Sequence, residues 1–161
     1  MMVKQANLFH SSIAAMCIAA AIPVTGAHAE NTEDTAKKWF KETYAVDYIN
    51  GAENFWDHYA DNVYFVTPDS AHVYAKDNLV PFLTKAYLDI WTANGLSKIE
   101  LLKTKSTVLG DNTIGISGTW RLENDAGETV AHCKKPKFNY ILDNTSGVWK
   151  IIAEFQAPCS D

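Results

Sequence analysis

The chain has 161 residues, of which 14 are basic and 19 acidic, for a formal net charge of −5 with histidine neutral. Lys and Arg gather only in the short KKPK run at 134–137, so an acidic chain of this kind argues against a nucleic-acid-binding surface. With 47% apolar residues and no repeat or low-complexity stretch, the composition fits a globular domain rather than a disordered or fibrous chain.

The first 29 residues carry no acid. Lys4, the apolar run IAAMCIAAAI at 13–22 and the small-residue triplet Ala27-His28-Ala29 follow the order of a secretory signal peptide. The apolar run is too short to span a bilayer. Met16 before Cys17 argues against a lipidated cysteine. Cleavage after Ala29 is therefore expected, with a periplasmic or secreted product and no membrane anchor. The mature domain, 30–161, keeps 13 basic residues against 19 acidic ones and is long enough to bury roughly two-thirds of its unfolded surface. Cys17 leaves with the leader. In an oxidising compartment the remaining pair, Cys133 and Cys159, predicts one disulfide. A final hairpin about the NTSG turn at 144–147 pairs residues whose numbers sum to about 291, which sets these two cysteines nearly opposite. Two cysteines without clustered histidines predict no metal site.

Along the mature chain, Thr32 is placed to cap a helix, with Glu33 and Asp34 where the helix dipole favours acids. Ala36, Trp39, Phe40, Tyr44, Asp47 and Tyr48 share one face at helical spacing, and Asn50-Gly51 ends the run. AENFWDHYA (52–60) reads as a second, short helix. VYFV and AHVYA flank TPDS as a hairpin. The spacing over 77–93 predicts a third helix, with Pro81 near its start and Gly95 as its stop. Long strands follow at 98–109, 113–123, 128–142 and 148–156, joined by short turns, which implies an antiparallel meander. Pro136 predicts a bulge or an edge in the third of them. The expected class is α+β: a cone-shaped fold of three N-terminal helices packed on a strongly curved, mainly antiparallel sheet with an internal pocket.

This order, together with NGAENFWDHYADNVYF, AKDNLVPFL, and GTWRLENDAGETV leading to FNYILDNTSGVWKI, resembles the nuclear transport factor 2-like superfamily. That superfamily includes ketosteroid isomerase and the SnoaL-like and DUF4440-type bacterial domains. The resemblance covers nearly all of the mature chain and implies a cone-shaped fold, a small-molecule pocket and often a homodimer. It does not select one activity. The isomerase's base aspartate falls on Thr67 and its assisting aspartic acid on Phe138, while its oxyanion tyrosine falls on Tyr44. One functional position of three is kept, so steroid isomerisation is not expected. Scytalone dehydratase-like enzymes pair a first-helix aspartate with a histidine base. Asp47 resembles the aspartate, but the stretch WTANGLSKIE (91–100) holds no histidine.

Asp47 stands on the apolar face between Tyr44 and Tyr48, where lost hydration raises a carboxyl toward the range of a general base. A plainer role is a hydrogen bond to a neighbouring tyrosine. His132 shares strand parity with Phe138 and Tyr140 if Pro136 introduces no bulge, and His72 lies near the pocket mouth on the hairpin. His58, Glu100 and Glu154 read as solvated. The expected ligand-binding set is Tyr44, Asp47, Phe65, Thr67, His72, Trp120, Phe138 and Tyr140, with aromatic walls that suit a small apolar or aromatic molecule. No phosphate loop, nucleotide fingerprint or nucleophile motif appears, so no cofactor is expected. The leading expectation is an exported small-molecule-binding protein. The alternative is a cofactor-independent lyase, dehydratase or isomerase in which Asp47, alone or with His132 or His72, moves a proton while Tyr44 stabilises negative charge. A third reading is a non-catalytic dimerisation or interaction module.

Overall fold

Two long helices and one sheet make up the fold in a computed structural model that describes residues 26–67 and 69–157, the first six of these by backbone alone. The first helix runs over 26–50 as an α segment Gly26–Trp39, a π turn Phe40–Tyr44 and an α segment Ala45–Asn50. It stops where Gly51 adopts φ 62°, a left-handed conformation that costs glycine little. Thr32 lies inside this helix rather than at its cap, because the helix already starts at Gly26. Ala36, Phe40, Tyr44 and Ala45 form its buried stripe. The extra residue of the π turn brings Tyr44 over Phe40, with ring centroids 5.0 Å apart.

The second helix runs over 76–93, again with a π turn, Thr84–Leu88, between the α segments Lys76–Leu83 and Asp89–Ala93. The strands are β1 Tyr59–Thr67, β2 Ser70–Ala75, β3 Leu96–Gly110, β4 Thr113–Asn124, β5 Lys137–Asp143 and β6 Lys150–Gln156. They form one sheet of order β2-β1-β6-β5-β4-β3, antiparallel except where β1 runs parallel to β6. Strict alternation along β4 sends Ile114, Ile116, Trp120 and Leu122 to the helix-covered face. Among the described residues no helix is long and apolar enough to cross a membrane.

Three expectations are corrected here. The segment expected as a second helix is a single 3₁₀ turn, Phe55–His58, because Gly51 has just ended one helix and Tyr59 already pairs with Ile151 in β1. Among the described residues there are thus two long helices, not three. The sheet is open, with β2 and β3 as free edges, and is not strongly curled into a cone. Only β3 and β4 are long; β5 and β6 have seven residues each, too few to wrap around a helix. The third expected strand begins at Lys137 instead of 128: Thr129 bridges Glu123 and Val130 donates to Leu122, but 131–135 bend away and Pro136 cannot donate to a ladder.

That last change alters the register on which the disulfide was expected. Observed β5–β6 partners, such as Phe138 with Gln156 and Asp143 with Lys150, place Cys133 before the strand rather than in the ladder. Cys133 is disulfide-bonded; Cys159, Pro68 and most of the expected leader lie outside the described residues, and the expected pairing falls there with them.

Gly118 on β4 is required by close approach. A Cβ there would lie 2.9 Å from Trp120 Nε1 and 3.4 Å from the Phe40 ring, both fully buried groups. Gly118→Ala is expected to cost about 1–2 kcal/mol through overpacking, read as a shifted denaturation midpoint with an unchanged m-value.

Candidate functional site

Between the two helices and the inner face of β5 and β6 lies a part-open cavity of about 40 Å³. The first helix contributes Tyr44 and Tyr48, the 3₁₀ turn Phe55 and Trp56, and the second helix Leu83, Tyr87, Leu88 and Trp91. The floor is Tyr59 of β1, Phe138 and Tyr140 of β5, and Glu154 of β6. Tyr44, Tyr87 and Leu88 belong to the two π turns, so each helix departs from regular geometry where it meets the cavity. An outer hollow of about 370 Å³ shares Tyr48, Phe55, Trp56 and Leu88 with it and adds Ile49 and Ile99. These four side chains border both spaces and mark the throat where the outer hollow, or mouth, adjoins the inner space. A wider groove of about 630 Å³ lies between the first helix and β3, past Lys41, Glu100 and Lys103. Its carboxylate is paired with Arg121 at 2.9 Å in solvent, an arrangement of little energetic consequence. The site is therefore assigned to the smaller cavity, where the polar groups converge.

Glu154 is the charged group of that cavity and is only 7% exposed. The Tyr59 hydroxyl donates to Glu154 Oε2 at 2.8 Å. A phenol has one proton, so the Tyr44–Tyr59 contact at 3.1 Å then takes its proton from Tyr44. The Tyr140 ring packs edge-on against Tyr44, with centroids 5.4 Å apart. Two phenols thus form a directed chain, Tyr44 to Tyr59, that ends on a carboxylate. Burial pushes the Glu154 carboxyl up to about 7, the Tyr59 hydrogen bond opposing it in part. The same burial raises all three phenols well above their ordinary value. The site is acidic in its one ionisable group near neutrality, and no Lys, Arg or His lines it among the described residues.

Glu154 was read from sequence as solvated because simple alternation from Ile151 turns it outward. The β5–β6 register shifts between Ile141 and Leu142: Ile141 faces Ala153, whereas Leu142 faces Ile151. Ile152 is the extra residue, and this bulge reverses the parity beyond it. Glu154 therefore faces inward beside its partners Tyr140 and Phe65. A carboxylate one turn of pattern away from buried Ile151 carries no signal of this in a single sequence.

Of the residues singled out from sequence, Tyr44, Phe138 and Tyr140 line the cavity. Phe65 and Trp120 are buried in the core beside it, Phe65 against Phe82 and Tyr87, and Trp120 against Phe40 and Tyr48. Thr67 ends β1 and bonds Ser70 across the turn. His72 is exposed on β2, and His132 is exposed in the bend before Pro136. Asp47 does meet an imidazole: His58 Nε2 lies 2.6 Å from Asp47 Oδ2, with side chains 12% and 24% exposed. His58 is held there by the rings of Trp39, Tyr44 and Phe55. Neither member of this pair lines the cavity, so it stands behind the Tyr44 ring rather than at a ligand.

The profile of a family described as NTF2-like protein (DUF6841) matches residues 31–159. No curated protein matches the chain. Among solved structures, an NTF2-like protein of unknown function from Pseudomonas putida KT2440 is 14% identical, covers 82% of this chain and 89% of its own, and superposes with a TM-score of 0.59. One from Shewanella oneidensis MR-1 is 12% identical over 78% and 98% of the two chains, with a TM-score of 0.58. A putative calcium/calmodulin dependent protein kinase II association domain from Xanthomonas campestris is 16% identical over 88% and 94%, with a TM-score of 0.55. At these identities the likeness establishes the fold alone.

Proposed function

We propose that this chain, which belongs to the DUF6841 family of NTF2-like proteins, is an exported protein that binds a small amphiphilic molecule between its two helices and its sheet. One observation carries the reading: a part-open hollow walled by nine aromatic side chains holds a buried, hydrogen-bonded carboxyl and adjoins an outer hollow of about 370 Å³. Apolar walls with a few converging polar groups are the ordinary construction of a ligand site. The head group of the ligand then meets the inner space and its bulk the mouth. Export rests on the leader-like first 29 residues, and the family match beginning at 31 is consistent with a domain that starts after them. The order of motifs also resembles SnoaL-like and DUF4440-type domains, but the isomerase positions Thr67 and Phe138 carry no acid.

Saturation-transfer NMR with indole and hexan-1-ol tests the binding reading. Both probes are expected to take up saturation from the wild-type protein. Leu88→Trp, which fills the throat, is expected to abolish the signal, whereas Asp47→Asn, outside the cavity, leaves it unchanged. Signals that are absent, or that survive Leu88→Trp undiminished, overturn the reading.

A second reading follows from the Glu154 carboxyl at about 7. Such a group exchanges its proton at neutral pH, with the Tyr59 phenol at 2.8 Å as partner. In a lyase or isomerase it is Glu154, not Asp47, that stands where a bound substrate would meet an acid–base group.

A further inference from the structure

We infer that the ligand is a primary amine with an apolar tail, its ammonium group seated against Glu154 and its tail in the mouth of the cavity. The inference rests on the binding reading above and names the ligand class. Of the twelve residues that line the inner cavity, nine are aromatic, two are leucine and one is an acid. Aromatic faces carry the negative side of the ring quadrupole, so a box of them attracts a cation and offers nothing to an anion. The carboxylate has the same preference. A carboxylate or phosphate ligand would set a second negative charge beside Glu154 with no Lys, Arg or His in the lining to compensate.

A neutral ligand is disfavoured for a different reason. The Tyr44 and Tyr59 hydroxyls point their protons toward Glu154 and oppose the burial that disfavours its ionised form; once ionised, the buried carboxylate has no counterion in the lining. The titratable groups that face Glu154 are Tyr59 on its own side of the sheet, Tyr140 on β5, Tyr44 and Tyr48 on the first helix, and Tyr87 on the second. All are phenols that stay neutral. An ammonium group supplies the missing positive charge and donates to a carboxylate, the stronger type of hydrogen bond.

Donor capacity then chooses among cations. An –NH₃⁺ group donates to the Glu154 carboxylate, whereas a trimethylammonium group has no N–H to donate. The tail meets the apolar part of the mouth, Tyr48, Ile49, Phe55, Trp56, Leu88 and Ile99, whose other wall is the helix end at Asn50, Gly51 and Ala52.

Isothermal titration at about pH 8 with hexylamine, hexan-1-ol, hexanoate and hexyltrimethylammonium separates the possibilities, because the amine is then charged and Glu154 ionised. Wild-type protein is expected to bind hexylamine at least about tenfold more tightly than hexan-1-ol, with the other two weaker still. In Glu154→Gln the preference for amine over alcohol is expected to fall to about threefold or less, near-UV circular dichroism showing the same packed fold. Equal binding of alcohol and amine by the wild type overturns the inference and leaves the binding site standing. So does an amine preference that survives Glu154→Gln. Binding of none of the four probes overturns both. The comparison of probes on the wild type stands whether or not the variant folds.

Discussion

Glu154→Gln is expected to make the protein more stable above neutral pH, not less. In the unfolded chain this carboxyl ionises around 4.5, whereas in the folded protein it does so at about 7. Below 4.5 both states are protonated and the group contributes no penalty. As pH rises from 4.5 to 7 the unfolded state sheds its proton and the folded state keeps it, so stability falls. Above 7 both states are ionised and the loss levels off. A gap of this width corresponds to about 3 kcal/mol. Gln keeps an acceptor for the Tyr59 hydroxyl and removes the titration. Urea unfolding at a series of pH values is the measurement. The stability difference between variant and wild type is expected to grow by about 3 kcal/mol between pH 4 and pH 8 and then to stay constant. Glu33, Asp57 and Glu100, which surface lysines hold below their ordinary values, tilt both curves alike and cancel in the difference. Parallel curves for the two proteins would mean that Glu154 is hydrated in solution.

A group that destabilises the fold at working pH is retained for what it does, not for what it holds together. This separates Glu154 from the Asp47–His58 pair. That pair satisfies two polar groups against a ring of aromatics at the end of the first helix, a structural task. The distinction was not legible in the sequence. Asp47 lay on a helix, where a period of 3.6 is robust, and its place beside the Tyr44–Tyr48 stripe was read nearly as observed. Its partner was not, because His58 sits on a 3₁₀ turn whose direction no periodicity fixes. Glu154 lay on a strand, where side is decided by a period of two and one extra residue reverses it. The alternation of β4, with no bulge between Ile114 and its partners in β5, could be read directly, as could the hairpin of β1 and β2. The expected length of β5 and the curl of the sheet depended on Pro136 and on pairing across the chain. A single sequence contains neither.

Phe138→Ala tests how far the size of the inner cavity sets ligand choice, and its effect on stability is expected to be the largest. The ring is 7% exposed, forms part of the floor and stands across the ladder from Gly118, which has no side chain to move into the space. Tyr44 and Tyr59 are tied to each other and to Glu154 through their hydroxyls and cannot collapse inward without breaking that chain. A large-to-small change where the surroundings relax so little is expected to cost about 3–5 kcal/mol, a substantial share of the total for a domain of this size. The same rigidity keeps the new space open at the foot of the cavity, next to Glu154. Hexyltrimethylammonium, bulkier in its head group than hexylamine, is then expected to bind the variant at least about tenfold more tightly than it binds the parent, while hexylamine loses aromatic contact and weakens. Thermal denaturation with and without each cation reads both effects in one experiment, since a ligand raises the midpoint in proportion to its affinity. If the variant loses stability but excludes the bulky cation as before, the throat at Tyr48, Phe55, Trp56 and Leu88 limits entry, and the floor at Phe138 does not.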